Sequence, residues 1–451
     1  MGENNRETRP ALDVKWFARF AEVGVFAPWE YLGGDKEQRR EEKRKFLAGE
    51  CKNPSLDYPK AIAEDWSKRE QVLLELKKDI LTQEPNEVVA QAYRWRLNEK
   101  IAQARMMMAI IRGDSRKIKR YGEFIYGRPS KDIFAFTINR IREQVKSCLN
   151  SENLVIRQAA TDLDVALPGS FSEPTIIDLP EEEVIQRAKT VTEAEFADLI
   201  NITEPGKVFD AEGAKTVVEK ALLLVKARGW SVIIEEIGRK TGFAVSQEHQ
   251  WVRIPNQTLR ELTYVIVHEI GTHLKRGING RRSRLMLLGV GLDRYGRGEE
   301  GIATMREQTL EGKVKDFAGL KSHLAISLAI GLDGKPRDFR DVYEILNKYL
   351  FFEKLVGGMK PEIAKEEAQD EAYNNCVWAF RGTDHKTPGI CFTGDIEYRE
   401  GNIGIWNVIR DNPKEMLRFS IGKYDPANYR HIWILEQLGI TDKDLQDLEN
   451  N

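Results

Sequence analysis

Cysteine is scarce in this chain. There are four in 451 residues (Cys51, Cys148, Cys376 and Cys391), and no two of them form a CxxC pair. That excludes a disulfide-stapled scaffold and fits a reducing compartment. Cys376 and Cys391 lack ligand spacing and read as free thiols. Neither sign of charge is in excess: Lys plus Arg is 69 and Asp plus Glu is 71, a formal net charge of −2. A dedicated nucleic-acid binder is expected to carry a basic surplus, so that class is set aside. Long apolar runs are missing too. The longest, His323 to Leu332, is about half of the roughly 20 residues that a membrane span needs. The polar N-terminal stretch MGENNRETRP does not suit a signal peptide. The expectation is a cytoplasmic protein with no membrane and no nucleic-acid partner. The run GVGLDRYG (Gly289 to Gly296) does not fit GxGxxG and has no strand before it, which removes a dinucleotide cradle.

What is present is enough for a large folded core, with 41% hydrophobic and 31% charged residues. After Pro85, the residues Val89, Tyr93, Leu97, Ile101, Ala104, Met108 and Ile111 recur at three- or four-residue intervals. That spacing predicts an amphipathic helix of about seven turns. The Met106-Met107-Met108 run inside it reads as core filler, and the basic stretch Arg112 to Arg120 as a solvated loop. Pro168, Gly169, Pro174 and Pro180 mark a boundary or a long connection. Beyond them, Ala214 to Arg228 reads as a helix closed by Gly229. Strand-like runs follow at Trp230 to Glu235, Phe243 to Ser246 and Trp251 to Ile254, with Thr241-Gly242 as a turn. A new helix is expected from about Thr258. The chain is thus α+β and predominantly helical. Residues 1–165 form a helical N-terminal region packed on a catalytic region, 166–451.

The helix expected after Thr258 turns abruptly from apolar to chemically equipped. Leu259, Leu262, Val265 and Ile266 make a buried face, and then His268, Glu269 and His273 appear. Neutral imidazole is a common nitrogen ligand of Zn²⁺. A glutamate next to the first ligand can reach a water on the metal and act as general base. The spacing is HExxxH rather than HExxH. On an α-helix, five residues overshoot one turn by about 140°, so both rings meet one metal only if the helix loosens or ends between them. Gly271 sits there and eases such a distortion. With only 6 histidines in the chain, the chance expectation for HExxxH is on the order of 0.01 matches. The alternative is two unrelated histidines, one in the core and one at a helix end. Downstream, Glu299 and Glu300 open an expected helix, Glu300 to Leu310. Either could be a third ligand, or both could simply complement a helix N-terminus. Pattern alone does not choose between them.

The strings HEIGTHLKRGING (His268 to Gly280) and EEGIA (Glu299 to Ala303) resemble the hallmarks of the microtubule-associated tyrosine carboxypeptidase family. There, HEIGTH is followed by a basic residue and, further on, by EEGLA or QEGLA. Ile302 replaces the usual leucine. Lys45 to Ala61, Tyr126-Gly127-Arg128-Pro129, Arg381-Gly382, and Phe392-Thr393 with Asp395 and Tyr398 resemble further elements of the same family. The likeness runs from about residue 40 to 410 and points to a member of bacterial type. It implies one extended catalytic unit with a zincin-like metallopeptidase domain and a small sheet beside the HEIGTH helix. It also implies one Zn²⁺ held by His268, His273 and Glu300, with Glu269 as base. The implied substrate is a polypeptide C-terminus, with an aromatic terminal residue as one option. Tubulin specificity is not carried over.

A carboxypeptidase needs a cation for the terminal carboxylate, and arginine suits it. Arg276, one turn after His273, and Arg381 are the candidates. His385, in the loop beside FTGD, and Tyr398 are further candidates for the cleft. Tyr398 and Tyr295 are phenols able to stabilise an oxyanion, with packing as the competing role. His323 reads as a core or helix-start residue, His249 as exposed in a turn and His431 as helical surface. Two other readings stand beside the carboxypeptidase: a metalloendopeptidase with an open cleft, and a non-catalytic metal-containing regulatory or peptide-binding module. A purely structural site would have no need of Glu269.

Overall fold

A computed structural model describes residues 10–171, 177–204, 206–235, 242–246 and 250–450. Helices dominate, and local side chains start many of them. Asn86 opens the long helix Glu87–Ile111, its Oδ1 accepting from the backbone N–H of Val88 (3.0 Å) and Val89 (3.2 Å). Ser130 caps Lys131–Cys148, Asn153 caps Leu154–Ala166 and Asp210 caps Ala211–Leu224 in the same way. The basic stretch expected to be a loop is instead mostly helical. Asp114 accepts from Lys117 N and starts the helix Ser115–Tyr126, whose Ile118, Gly122 and Ile125 are buried at helical spacing.

The seven-turn helix holds over its expected length, and Met106 and Met107 are core residues. Its burial is wider than the apolar stripe. Arg96, Glu99, Lys100 and Gln103 are also buried, while Ile111 is exposed. These polar groups satisfy one another and the chain around them. Arg96 Nη1 donates to Glu99 Oε2 (2.7 Å), Gln103 Nε2 to Glu99 Oε1 (3.2 Å), and the backbone N–H of Arg294 to Glu99 Oε2 (2.9 Å). A buried polar group is tolerated when paired in this way.

Three strands form one small sheet: β1 (Ser231–Ile234), β2 (Ala244–Ser246) and β3 (Trp251–Ile254). Their order is β1-β3-β2. Strand β3 is parallel to β1, with Val232 opposite Val252, and antiparallel to β2, with Val245 opposite Val252. The turn expected at Thr241-Gly242 lies partly outside the described residues, because Thr241 is not described. After β3, the helix begins at Leu262, not Thr258. Leu259 is engaged in a bridge with Phe209 (N–O 2.8 and 2.9 Å) and is not yet helical. Val252 and Ile254 share an apolar cluster with Val217, Ala221, Ile266 and Ile270. The sheet and the helix Ala211–Leu224 therefore back the segment that carries the two histidines.

The largest cluster draws residues from both sides of 165/166. Trp16, Phe20, Trp66 and Tyr93 pack in one core with Leu285, Leu288, Phe339, Phe380, Leu435 and Leu448. Asp13 pins this junction. Its carboxylate accepts from Met286 N (2.7 Å), Leu287 N (3.0 Å) and the Tyr93 hydroxyl (2.8 Å). No described helix is long and apolar enough to cross a membrane. Replacing Asp13 by Ala strands two buried N–H groups and a phenol. A loss of about 3 kcal/mol is expected, read as a lower urea midpoint; an unchanged midpoint would show that the junction is not held there.

Candidate metal centre

The segment Ile266–Leu274, IVHEIGTHL, is a π-helix. Its backbone bonds run from residue i to i+5, one residue longer than in an α-helix. This is the loosening that the HExxxH spacing requires. With a five-residue repeat, His268 and His273 fall on the same side, and their ring centroids lie 4.8 Å apart at 78°. Gly271 serves a purpose other than backbone freedom. A Cβ there would lie 3.0 Å from Phe196 Cε1 and 3.3 Å from Leu199 Cδ1, so the missing side chain admits these two residues against the π-helix.

Each imidazole has a carboxylate against Nδ1, hydrogen-bonded at His273 and in ion-pair contact without hydrogen-bond alignment at His268. His268 Nδ1 lies 2.9 Å from Glu307 Oε1, and His273 Nδ1 lies 2.9 Å from Glu299 Oε1. A carboxylate at Nδ1 favours the proton there and leaves the Nε2 lone pair free. Both Nε2 atoms look toward Glu300, at 4.0 Å (His268) and 3.8 Å (His273). Ligand atoms of His268, His273 and Glu300 all lie within 4.8 Å of one another. Two neutral nitrogens and one carboxylate oxygen, half-buried, are a donor set able to hold a divalent metal. Glu269, next to His268 in the chain, acts electrostatically on both His268 and Glu300.

The geometry separates the two glutamates that pattern left open. Glu300 faces the imidazoles, while Glu299 is turned behind them. Glu299 Oε1 takes both His273 Nδ1 and Lys423 Nζ (2.8 Å), and its Oε2 takes Arg276 Nη1. Burial opposes its ionisation, but Lys423, Arg276 and His273 outweigh that and hold its carboxyl well below the usual range. Glu300 is raised, by burial first and by Glu299 and Glu269, against the pull of the histidines. Burial likewise works against a charged His268, yet Glu307, Glu300 and Glu269 carry its pKa up to about 9.

Helix Gly296–Glu311 supplies Glu299, Glu300 and Glu307. It begins a turn earlier than expected. Glycine lets helix Ile396–Asp411 lie directly against it: a Cβ on Gly301 would fall 2.4 Å from the Gly401 carbonyl oxygen, and one on Gly401 would fall 2.1 Å from that of Arg297. This contact brings Tyr398 and Glu397 to the site. The Glu300 charge holds the Tyr398 phenol well above its usual range, although the residue is 38% exposed. Burial, then Glu300, pushes Glu397 up to about 8.

Of the four substrate-contact candidates, the structure brings Tyr398 to the cluster. Arg276 is fully buried and sits behind the ligands. Its Nε donates to Phe419 O (2.8 Å) and its Nη2 to Tyr424 O (2.7 Å), while Nη1 takes Glu299. Its donors point away from a substrate because the π-helix gives way to the helix Lys275–Arg282 and turns this side chain into the core. Arg381 is buried between Trp378 (4.9 Å) and Phe392 (4.1 Å) and bonded to Asp395 (2.6 Å). His385 does not line the site either. It is buried against Phe339, with Nδ1 2.8 Å from Pro54 O.

Tyr295 packs against Arg96 (5.2 Å) and Lys423 (5.5 Å), the packing role. His323 is buried in the core, as read. His431 is not surface: it is fully buried, accepting from Asp425 N (2.9 Å) and meeting Asp293 O (2.8 Å). His249 lies outside the described residues. Glu307 and Lys423 went unseen in the sequence. A signal for Glu307 was present, since it stands two helical turns after Glu300 and so on the same face.

A family model described as microtubule-associated tyrosine carboxypeptidase matches residues 178–444. The likeness read between about residue 40 and 177 lies outside that span. No curated protein matches the chain, and no solved structure does.

Two measurements test the centre. A protonated His268 must lose its proton before binding a metal. Zn²⁺ uptake should therefore weaken as pH falls below about 9, by up to roughly tenfold per unit, and should release protons into weak buffer at pH 7.5; pH-independent affinity would contradict this. Glu307→Ala should weaken Zn²⁺ roughly 10–100-fold in competition with a chromophoric chelator. Unaltered affinity would show that Glu307 does not orient His268.

Proposed function

Because the chain belongs to the microtubule-associated tyrosine carboxypeptidase family, we propose that it is a zinc-dependent metallocarboxypeptidase removing one residue from a polypeptide C-terminus. The observation that carries this reading is the convergence of His268, His273 and Glu300 within 4.8 Å beside Glu269. The small sheet packed behind the histidine segment supports a zincin-like assignment.

When bound, Zn²⁺ acidifies water and polarises a carbonyl. The chain's own residues do the rest. Glu307 and Glu299 lie on the Nδ1 sides of His268 and His273, so the Nε2 atoms are the ones that would face the metal once His268 has given up its proton. Glu269 takes the proton of the attacking water and delivers it to the leaving amine, the task of a general base that becomes a general acid. Tyr398 keeps its proton at neutral pH, since the Glu300 charge raises its phenol. It therefore has a hydrogen to donate to the oxyanion that develops on the scissile carbonyl.

The burial of Arg276 and the pairing of Arg381 with Asp395 favour a second reading. Neither offers a free guanidinium to a terminal carboxylate, as an exopeptidase pocket requires, whereas an endopeptidase needs no such anchor.

Mass spectrometry of a peptide library incubated with the zinc-loaded protein separates these readings. Loss of single C-terminal residues supports the carboxypeptidase, internal cuts the endopeptidase, and no cuts a metal-containing binding module. Glu269→Gln is expected to keep its zinc and lose turnover by roughly 10²–10⁴-fold. His268→Ala should lose both metal and turnover. Full activity in metal-loaded Glu269→Gln would remove Glu269 from the mechanism.

A further inference from the structure

Threonines elsewhere in this chain show what a helix ordinarily asks of them. Thr137 Oγ1 donates to Ile133 O (2.8 Å) and Thr304 Oγ1 to Glu300 O (2.7 Å), each reaching four residues back. That is the usual back-bond of an α-helix. Thr272 differs. Its Oγ1 donates to Val267 O, five residues back, at 2.9 Å. The two ends of this bond are the residues immediately before His273 and His268. A bond from 272 to 267 therefore ties the histidines at the five-residue offset that brings their rings together.

The hydroxyl is not free to choose another acceptor. Arg306 Nη1 donates to Thr272 Oγ1 at 3.0 Å. Guanidinium has no acceptor, so the single hydroxyl proton of Thr272 is committed to Val267 O. Arg306 is itself fixed, with Nη2 bonded to Glu195 Oε2 (2.7 Å) and Ser420 Oγ (2.9 Å). Glu195 also takes Lys275 Nζ at 3.4 Å, from the first residue after the π-helix. Thr272 and Arg306 are at most 2% exposed, so water does not compete for these bonds.

We propose that Thr272 and Arg306 are positioning residues that hold Ile266–Leu274 in its five-residue register and so set the spacing of the two imidazoles. The consequence for metal rests on the reading of His268 and His273 as ligands; the consequence for the register does not. Thr272→Val keeps the shape and removes the hydroxyl, Thr272→Ser keeps the hydroxyl, and Arg306→Lys removes the fork.

Two readouts are paired. In the metal-free protein, amide hydrogen exchange across 266–274 should accelerate at least roughly tenfold in Thr272→Val and in Arg306→Lys, and stay near the parent in Thr272→Ser. Zn²⁺ affinity by chelator competition should drop roughly 10–100-fold in the same two variants and be retained in Thr272→Ser. Asp13→Ala, destabilised far from the segment, serves as control: it should bind Zn²⁺ like the parent, which separates register from global stability. Parent-like exchange and affinity in Thr272→Val would overturn the proposal. Equal losses in Thr272→Ser and Thr272→Val would overturn it as well, because the methyl rather than the hydroxyl would then matter. If the parent itself takes up no Zn²⁺, the ligand reading fails, and the exchange arm alone still decides the role of Thr272.

Discussion

Much of this structure answers to a single hydrogen-bond register, the i to i+5 ladder of Ile266–Leu274. With α-helical bonding, the two histidines would diverge by about 140° and the motif could not gather around one point. A π-helix is wider and its ladder poorer, so it persists where neighbours support it. The neighbours here are specific. Phe196 and Leu199 press on Gly271, the sheet and the helix Ala211–Leu224 back the apolar face, and Arg306 reaches in to Thr272.

Around that ladder the chain places two groups of paired charge, Glu299 with Arg276 and Lys423, and Glu195 with Arg306 and Lys275. Buried ion pairs of this kind contribute little net stability, because desolvation offsets much of their attraction. What they fix is direction. Glu299, anchored by two cations, can hold His273 at Nδ1 only in one ring orientation, and Glu300 is then the carboxylate left facing the imidazoles. Hydrolytic chemistry at such a centre needs ligand positions good to a fraction of an ångström, and a rigid polar backing supplies that.

The sequence made the reacting end of the site legible and its support opaque. HExxxH suggested two ligands and a base, and turn geometry alone required the helix to loosen, as it does in Ile266–Leu274. The loosening around Gly271 was expected, but its contact with Phe196 and Leu199 was not, since a string does not reveal what approaches a missing Cβ. Neighbouring helix residues such as Glu299 and Glu300 point about 100° apart, and without the opposite wall neither face can be named. Arg276 shows the same blindness from the other side. Closeness in sequence to a ligand says nothing of direction, and this arginine runs into the core. An amphipathic reading of helix Glu87–Ile111 names only its apolar stripe, and it does not reveal that Arg96, Glu99 and Lys100 are buried and bonded inside. His431 is the small-scale version, a histidine among surface-like neighbours that is buried because two backbone groups satisfy it. The strands, by contrast, were readable almost to the residue, because β-branched and aromatic runs between breakers leave few alternatives.

The shared core of the N-terminal helices bears on how the chain comes together in time. Asp13 closes on Met286 and Leu287, and Trp16 and Phe20 share their cluster with residues as late as Leu448. A chain is made from its N-terminus, so the apolar faces of the first helices are ready long before the surfaces that cover them exist. Contacts of such sequence separation form slowly, since the loop between their ends must close first. During that interval the early helices expose Trp and Phe to one another and to other chains, the condition under which large proteins collect intermediates and call on chaperones. The matched span thus shares its largest apolar core with a segment outside it, and the early segment's apolar faces stay uncovered until that span is made.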